Sequence, residues 1–368
     1  MKRLLCIVSS LNTGGAETFL MKVFRTLDKE KYKMDFVVCK DGRYDAEVLT
    51  LGGRVYTIPL RTKHPFKSYR ALKKIAREGG YEYVLKLSDT PIGLTDVMAV
   101  KAGGATHVAV RSCNASTGAS RLREMLNSAL RPRFNKLTDV KIAPSALAAR
   151  YTFGDKAVDR GEVNLLNNGV DLSVFRFDAG ERERIRRELG IDEGISVVGH
   201  VGRFNKQKNH EFLLEVFAEY KKLEPSAILL LVGDGELRLS IEQRARDLGI
   251  SDSIRLLGVR SDVPALLSAF DVMLFPSFFE GMPNTVIEGQ ATGLPCVLSD
   301  SITPDADITG LLTYLPLSLS AEEWAQALME ASKLQRRDTS PDFISHGYDI
   351  QSVCANFLRL CFAEGENE

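Results

Sequence analysis

Short apolar runs of strand size alternate with stretches of helical period along almost the whole chain, and near residue 168 the alternation breaks and starts again. Runs at Leu4 to Val8, Met34 to Val38, Val55 to Ile58, Tyr83 to Leu85, His107 to Val110, Lys141 to Ala143 and Val163 to Leu166 are each followed by a helical stretch or a turn, the first helix running from Ala16 to Leu27. Strand-helix alternation of this kind builds parallel βαβ units, so these segments fill one doubly wound sheet. A turn cluster, Asn167-Asn168-Gly169-Val170-Asp171, then connects to a second series at Ser196 to Val201, Ile228 to Val232, Ile254 to Leu256, Val272 to Phe275 and Cys296 to Leu298. The fold class expected is α/β, with two Rossmann-like domains, residues 1–168 and 169–348. Beyond Gly347, Val353, Phe357 and Leu360 recur at helical spacing, which predicts a last helix within 349–363 packing back on the first domain. A length of 368 residues suits about two domains.

The apolar runs fall far short of the roughly 20 residues a spanning helix needs. Leu4 to Val8, behind Met1-Lys2-Arg3, is also too short for a secretory signal, so the chain is expected in the cytoplasm. The six cysteines contain no CxxC pair, which speaks against a zinc site or a disulfide framework. The net charge of zero conceals an asymmetry: residues 1–168 hold 29 of the 48 basic and 16 of the 48 acidic side chains. A basic first domain suits phosphate or anionic lipid. Nucleic acid is not expected, because no interleaved aromatic platform accompanies the charge.

In doubly wound sheets ligands bind beyond the carboxyl ends of the strands, so the residues just after each strand carry the chemical information. After the first strand, Gly14-Gly15-Ala16-Glu17 makes a glycine turn opening a helix, where backbone can approach an anion. It is not the dinucleotide GxGxxG. In the second domain, Gly202-Arg203-Phe204-Asn205-Lys206-Gln207-Lys208-Asn209 follows a strand and presents Arg203 and Lys208 without an acidic neighbour, a pair fit for a phosphate. Further on, Glu280-Gly281-Met282-Pro283-Asn284-Thr285-Val286-Ile287-Glu288 reads as loop and then helix. Pro283 suits the first helical turn, and the N–H groups near Asn284 and Thr285 can receive a phosphate. Glu288, four residues after Asn284, lies one turn below on the same face and can hold a ribose. Asp305-Ala306-Asp307 spells the DxD of metal-dependent transferases, yet the basic pair already neutralises the phosphates, and no metal or other cofactor is expected.

Together, Gly14-Gly15-Ala16-Glu17, Asn168-Gly169-Val170-Asp171, Gly202-Arg203 with Lys208-Asn209, Val232-Gly233-Asp234-Gly235 and the spaced glutamates Glu280 and Glu288 resemble the retaining family 4 glycosyltransferases of the GT-B fold. The resemblance spans nearly the whole chain and is strongest to the branch that builds capsular polysaccharide and exopolysaccharide. It implies two Rossmann-like domains facing across a cleft, with a nucleotide sugar, a UDP-hexose or UDP-N-acetylhexosamine, as co-substrate. By the same resemblance Arg203 and Lys208 bind the donor pyrophosphate, Glu288 the ribose, Glu280 the donor sugar, and Gly258 with Val259 the base. Gly233, Gly281, Met282, Pro283, Asn284 and Thr285 complete the nucleotide site. Gly14, Gly15 and Glu17 lie under the phosphate near the acceptor, and loops at Asp89 and Asn114 close over the donor. Relatives carry a histidine where this chain has Cys113, in Arg111-Ser112-Cys113-Asn114, so Arg111 or Asn114 is the expected source of that polar contact. The family's front-face displacement, in which the leaving phosphate takes the acceptor proton, needs no protein base. A UDP-sugar epimerase and a catalytically silent sugar-nucleotide-binding partner are the alternatives.

Two basic amphipathic stretches, Arg61 to Arg77 and Ser120 to Lys136, suggest an anionic membrane surface as partner. The acceptor then expected is a growing glycan linked to polyprenyl diphosphate.

Overall fold

A computed structural model of the chain describes every residue except 13, 89, 114–120, 281 and 365–368, and the side chains of 121–123. The described residues form two compact units, one of residues 1–169 and 347–368, the other of residues 170–346.

The first unit is built on seven parallel strands: β1 (Lys2–Ile7), β2 (Tyr32–Val38), β3 (Val55–Thr57), β4 (Tyr83–Leu87), β5 (His107–Arg111), β6 (Val140–Ala143) and β7 (Val163–Leu165), in the order β3-β2-β1-β4-β5-β6-β7. Leu4, Leu5, Cys6 and Ile7 are all fully buried, as a strand covered on both faces requires. On one face lie the helices Gly15–Thr26 and Ile350–Cys361, joined by Phe19 packing edge-on against Phe357 with ring centroids 6.1 Å apart. The last helix thus completes the first unit's core through Val353, Phe357 and Leu360, which the spacing predicts. The opposite face is covered by the helices Pro65–Glu78, Leu94–Ala102 and Arg121–Leu137.

The second unit has six parallel strands: β8 (Val197–Val201), β9 (Ile228–Val232), β10 (Ile254–Gly258), β11 (Val272–Phe275), β12 (Cys296–Ser299) and β13 (Leu312–Leu315), in the order β10-β9-β8-β11-β12-β13. Strand β13 has no counterpart in the sequence reading. It is a half-buried edge strand whose Leu-Thr-Tyr-Leu pattern carries little local signal and which is held by pairing with β12. In each sheet the strand order reverses once, between β1 and β4 and between β8 and β11, and loops diverge there to leave a ligand crevice. No helix among the described residues is long and apolar enough to cross a membrane.

Candidate functional site

The crevice of the second unit is flanked by the loops after β8 and β11, which hold Arg203 and Lys208 on one side and Glu280, Met282 and Pro283 on the other. Leaving β8, the chain is pinned by the Gly202 N–H donating to Val232 O (2.9 Å) and the Phe204 N–H to Asp234 O (3.0 Å). Gly233, at φ +135°, and Gly235 make this possible, because a Cβ on the first would collide with Gly202 O and one on the second with Phe204 O. The Gly233 N–H donates in turn to Gly258 O (2.8 Å), so backbone alone links the ends of β8, β9 and β10. Val259, one residue on, is exposed.

Phe204 is fully buried and anchors the β8 loop, which turns through Lys206–Lys208 with the Asn205 side chain accepting the Lys208 N–H (3.3 Å). Asn209 then adopts left-handed geometry (φ 54°, ψ 49°) to open the helix His210–Leu223, and its Nδ2 donates to Pro276 O (3.1 Å). That bond crosses from the β8 loop to the β11 loop. Two more do the same: the Phe278 N–H donates to Gln207 O (2.9 Å) and Gln207 Nε2 to Phe279 O (2.9 Å).

Between these loops Lys208 Nζ meets Glu280 Oε1 at 2.6 Å, with both side chains largely shielded from solvent. The ammonium also lies 4.4 Å from the centroid of the Phe275 ring. Glu280 is held at its backbone by a parallel bridge to Ile302. Arg203 is exposed, and among the described residues its guanidinium has no hydrogen-bond or ion-pair partner. The helix that follows, Asn284–Ala291, takes its first bonds from the N–H groups of Val286 and Ile287 to Pro283 O (2.9 and 3.1 Å). The N-terminal end of a helix is the end at which its dipole stabilises an anion. Pro283 is the residue before the helix rather than within its first turn, a shift of one position from the sequence reading. Met282, Asn284, Thr285 and Glu288 are half-buried, and Gly281 lies outside the described residues.

Beneath Lys208 are two buried imidazoles, His200 on β8 and His210, with ring centroids 4.9 Å apart. His200 Nδ1 is 2.9 Å from Leu274 O, and because a carbonyl only accepts, that nitrogen carries the proton. Burial, with the unfavourable proximity of a second protonation on His210 and of the Lys208 cation adding, holds His200 well below the ordinary histidine value. Burial and the Lys208 charge lower His210 to about 4. Both rings are therefore neutral at physiological pH, leaving Lys208 as the cation of the cluster. Sequence reasoning missed the pair, although a histidine inside a buried strand is a recognisable signal.

In the first unit, Gly14 has extended geometry and precedes the helix beginning at Gly15, and the Glu17 carboxylate folds back over the space a Gly14 Cβ would take. Arg111 corrects an expectation. The residue is 1% exposed, and its guanidinium stacks 4.0 Å over the Phe19 ring and donates to Asn168 Oδ1 (2.6 Å), so it is engaged within the first unit's own packing. Burial without a nearby carboxylate lowers its pKa to about 10. Cys113 is partly exposed, with Sγ 3.6 Å from Arg111 O. Asp89 and Asn114 lie outside the described residues. Among the described residues no group of three or more His, Cys, Asp or Glu side chains is arranged to hold a metal, and Asp307 accepts the Gly310 N–H (2.8 Å) in a local turn.

A shielded Lys208–Glu280 pair between the two loops, with Arg203 exposed on the first and a helix beginning after the second, is an arrangement that suits a phosphate bonded to a hydroxyl-rich group. Comparison with known proteins identifies the family. The model for glycosyl transferases group 1 matches residues 181–343, and that for Glycosyltransferase Family 4 matches residues 13–174. The EpsF protein of Bacillus subtilis (strain 168) is 34% identical over 98% of this chain and 96% of its own length. An Escherichia coli UDP-Gal:alpha-D-GlcNAc-diphosphoundecaprenol alpha-1,3-galactosyltransferase is 36% identical over 39% of this chain and 38% of its own. Among solved structures, Anabaena HepE in complex with UDP superposes with a TM-score of 0.78 at 19% identity, covering 99% of this chain and all of that one, which establishes the two-unit GT-B fold.

Proposed function

The chain belongs to the family 4 glycosyltransferases, and from that membership we propose that it transfers a hexose or N-acetylhexosamine from a UDP-sugar to a growing, lipid-linked glycan, with retention at the anomeric carbon. The observation that carries the reading is the Lys208–Glu280 pair beside the start of the helix Asn284–Ala291. In this scheme Arg203, Lys208 and the helix N-terminus bind the diphosphate and stabilise the charge that grows on it as the glycosidic bond breaks. Glu280 accepts hydrogen bonds from hydroxyls of the sugar, and Glu288 from those of the ribose. The departing phosphate oxygen takes the acceptor's proton, so no protein base and no metal is assigned. The relative that acts on a diphosphoundecaprenol-linked sugar supports a lipid-linked acceptor.

A surface of the first unit supports the same reading. Phe66 is 83% and Met125 71% exposed, with Leu60, Ile92 and Leu126 also exposed. All lie in segments that follow β3, β4 and β5, hence near the carboxyl edge of the sheet. Lys63, Lys67 and Arg70 stand exposed beside Phe66. Exposed apolar side chains with cations nearby in the chain suit an anionic membrane surface.

Thermal unfolding with UDP, GDP, ADP and a panel of UDP-sugars, without added metal, tests the donor assignment, since a ligand of the native state raises its apparent stability. A UDP-selective shift abolished by Arg203→Ala is expected, together with sugar transfer to a lipid-linked acceptor. Conversion of the UDP-sugar without an acceptor would point to an epimerase, and binding without transfer or hydrolysis to a silent partner protein.

A further inference from the structure

Phe278 and Phe279 are 44% and 61% exposed, yet their backbone is tied to neighbouring loops. Asn209 Nδ2 donates to Pro276 O (3.1 Å), Ser301 Oγ to Ser277 O (3.1 Å), the Phe278 N–H to Gln207 O (2.9 Å) and Gln207 Nε2 to Phe279 O (2.9 Å). The bridge between Glu280 and Ile302 closes the segment. A loose loop relaxes until its apolar rings are covered; five backbone restraints from two other segments, 207–209 and 301–302, keep this one from doing so. The rings are thus presented to solvent by construction, immediately before the carboxylate paired with Lys208.

Carbohydrate rings have two kinds of surface, hydroxyls at the rim and patches of C–H on the faces. Binding sites meet them with a few aimed polar groups and an apolar or aromatic wall. Glu280 supplies the polar group here. Resting on the donor-site reading above, we propose that Phe279, flanked by Phe278, is the aromatic wall of the donor-sugar subsite, stacking on the C–H face of the pyranose whose hydroxyls Glu280 receives. Gln207 then acts as a positioning residue, holding the aromatic pair in register with Lys208, its neighbour in the chain.

The test is calorimetric binding of UDP, UDP-glucose, UDP-galactose and UDP-N-acetylglucosamine to the full chain and to Phe279→Ala, Phe279→Leu and Phe279→Tyr. The quantity read is the ratio of UDP-sugar to UDP affinity, which isolates the sugar. Phe279→Ala is expected to lower that ratio about three- to tenfold for the preferred sugar while leaving UDP affinity unchanged, the range an aromatic contact contributes. Phe279→Tyr should restore it and Phe279→Leu should not, because a ring face is required. An unchanged ratio in Phe279→Ala, or full rescue by Leu, overturns the proposal; rescue by Leu would show plain apolar contact. If the unaltered protein binds no uridine nucleotide, the donor-site reading itself fails and takes the proposal with it; UDP binding with an unmoved ratio refutes the aromatic wall alone.

Discussion

Acidification from pH 7.5 to 5 should destabilise the second unit through His200 and His210, and His210→Phe should remove the share that His210 carries. Both are buried and have native pKa values below the unfolded value of 6.5, that of His210 at about 4. Between those two pH values the unfolded chain binds a proton that the native state refuses, so stability is intact above pH 7 and falls as the pH drops. At pH 5 linkage gives about 2 kcal/mol for His210, and His200 adds to it in the same direction. The window closes at the acid end near pH 4 for His210, where the native imidazole itself takes the proton. Trp324, the only tryptophan in the chain, is fully buried and packs edge-on against Phe212 in the same helix as His210, with centroids 5.5 Å apart. Its fluorescence therefore follows this unit alone in a urea titration. Comparing wild type with His210→Phe at pH 7.5 and 5 subtracts the carboxylates common to both, and the variant should lose about 2 kcal/mol less on acidification. Equal losses in the two proteins would refute the reasoning, since they would mean that His210 is as free to protonate in the native state as in the unfolded one.

Lys208→Ala leaves Glu280 shielded without its cation and takes a charge-assisted contact from the diphosphate, so UDP affinity measured by calorimetry should fall about 10- to 100-fold. Glu280→Gln should slow transfer more than it weakens UDP binding, and steady-state kinetics set beside UDP affinities show whether that order holds. Gly233→Ala should destabilise the second unit by about 2 kcal/mol or more in Trp324-detected unfolding, because the new Cβ meets Gly202 O at a φ of +135° that alanine resists. Flotation with anionic but not neutral vesicles is expected of the intact protein, with Phe66→Ser and Met125→Ser each reducing recovery; equal recovery on both kinds of vesicle would remove the membrane from the account.

Much of the architecture is legible before any coordinates. The buried strands read as apolar runs because parallel sheets cover both faces, and the helices between them carry 3.6-residue periodicity. The glycine turns at Gly233 and Gly258 are legible for a different reason: positive φ or close backbone approach leaves little choice of residue. Arg111 shows where such reading stops. A basic residue after a strand looks like a ligand contact, and only packing shows that Phe19 and Asn168 have already taken its guanidinium. Strand β13 escapes for the opposite reason, since its local pattern is weak and its place is set by β12.

Local order along the chain determined the α/β class, the restart of the alternation, the family and the kinds of residue at the site, because each depends on neighbours two to four positions away. What the tertiary structure decided is which of those residues meet. Lys208 and Glu280 are 72 positions apart and form a pair only because β8 and β11 lie side by side where the strand order reverses. The neutral histidines beneath them, and the exposed rings of Phe278 and Phe279 beside them, follow from the same adjacency. Burial and proximity are properties of the packed sheet, and no stretch of sequence carries them alone.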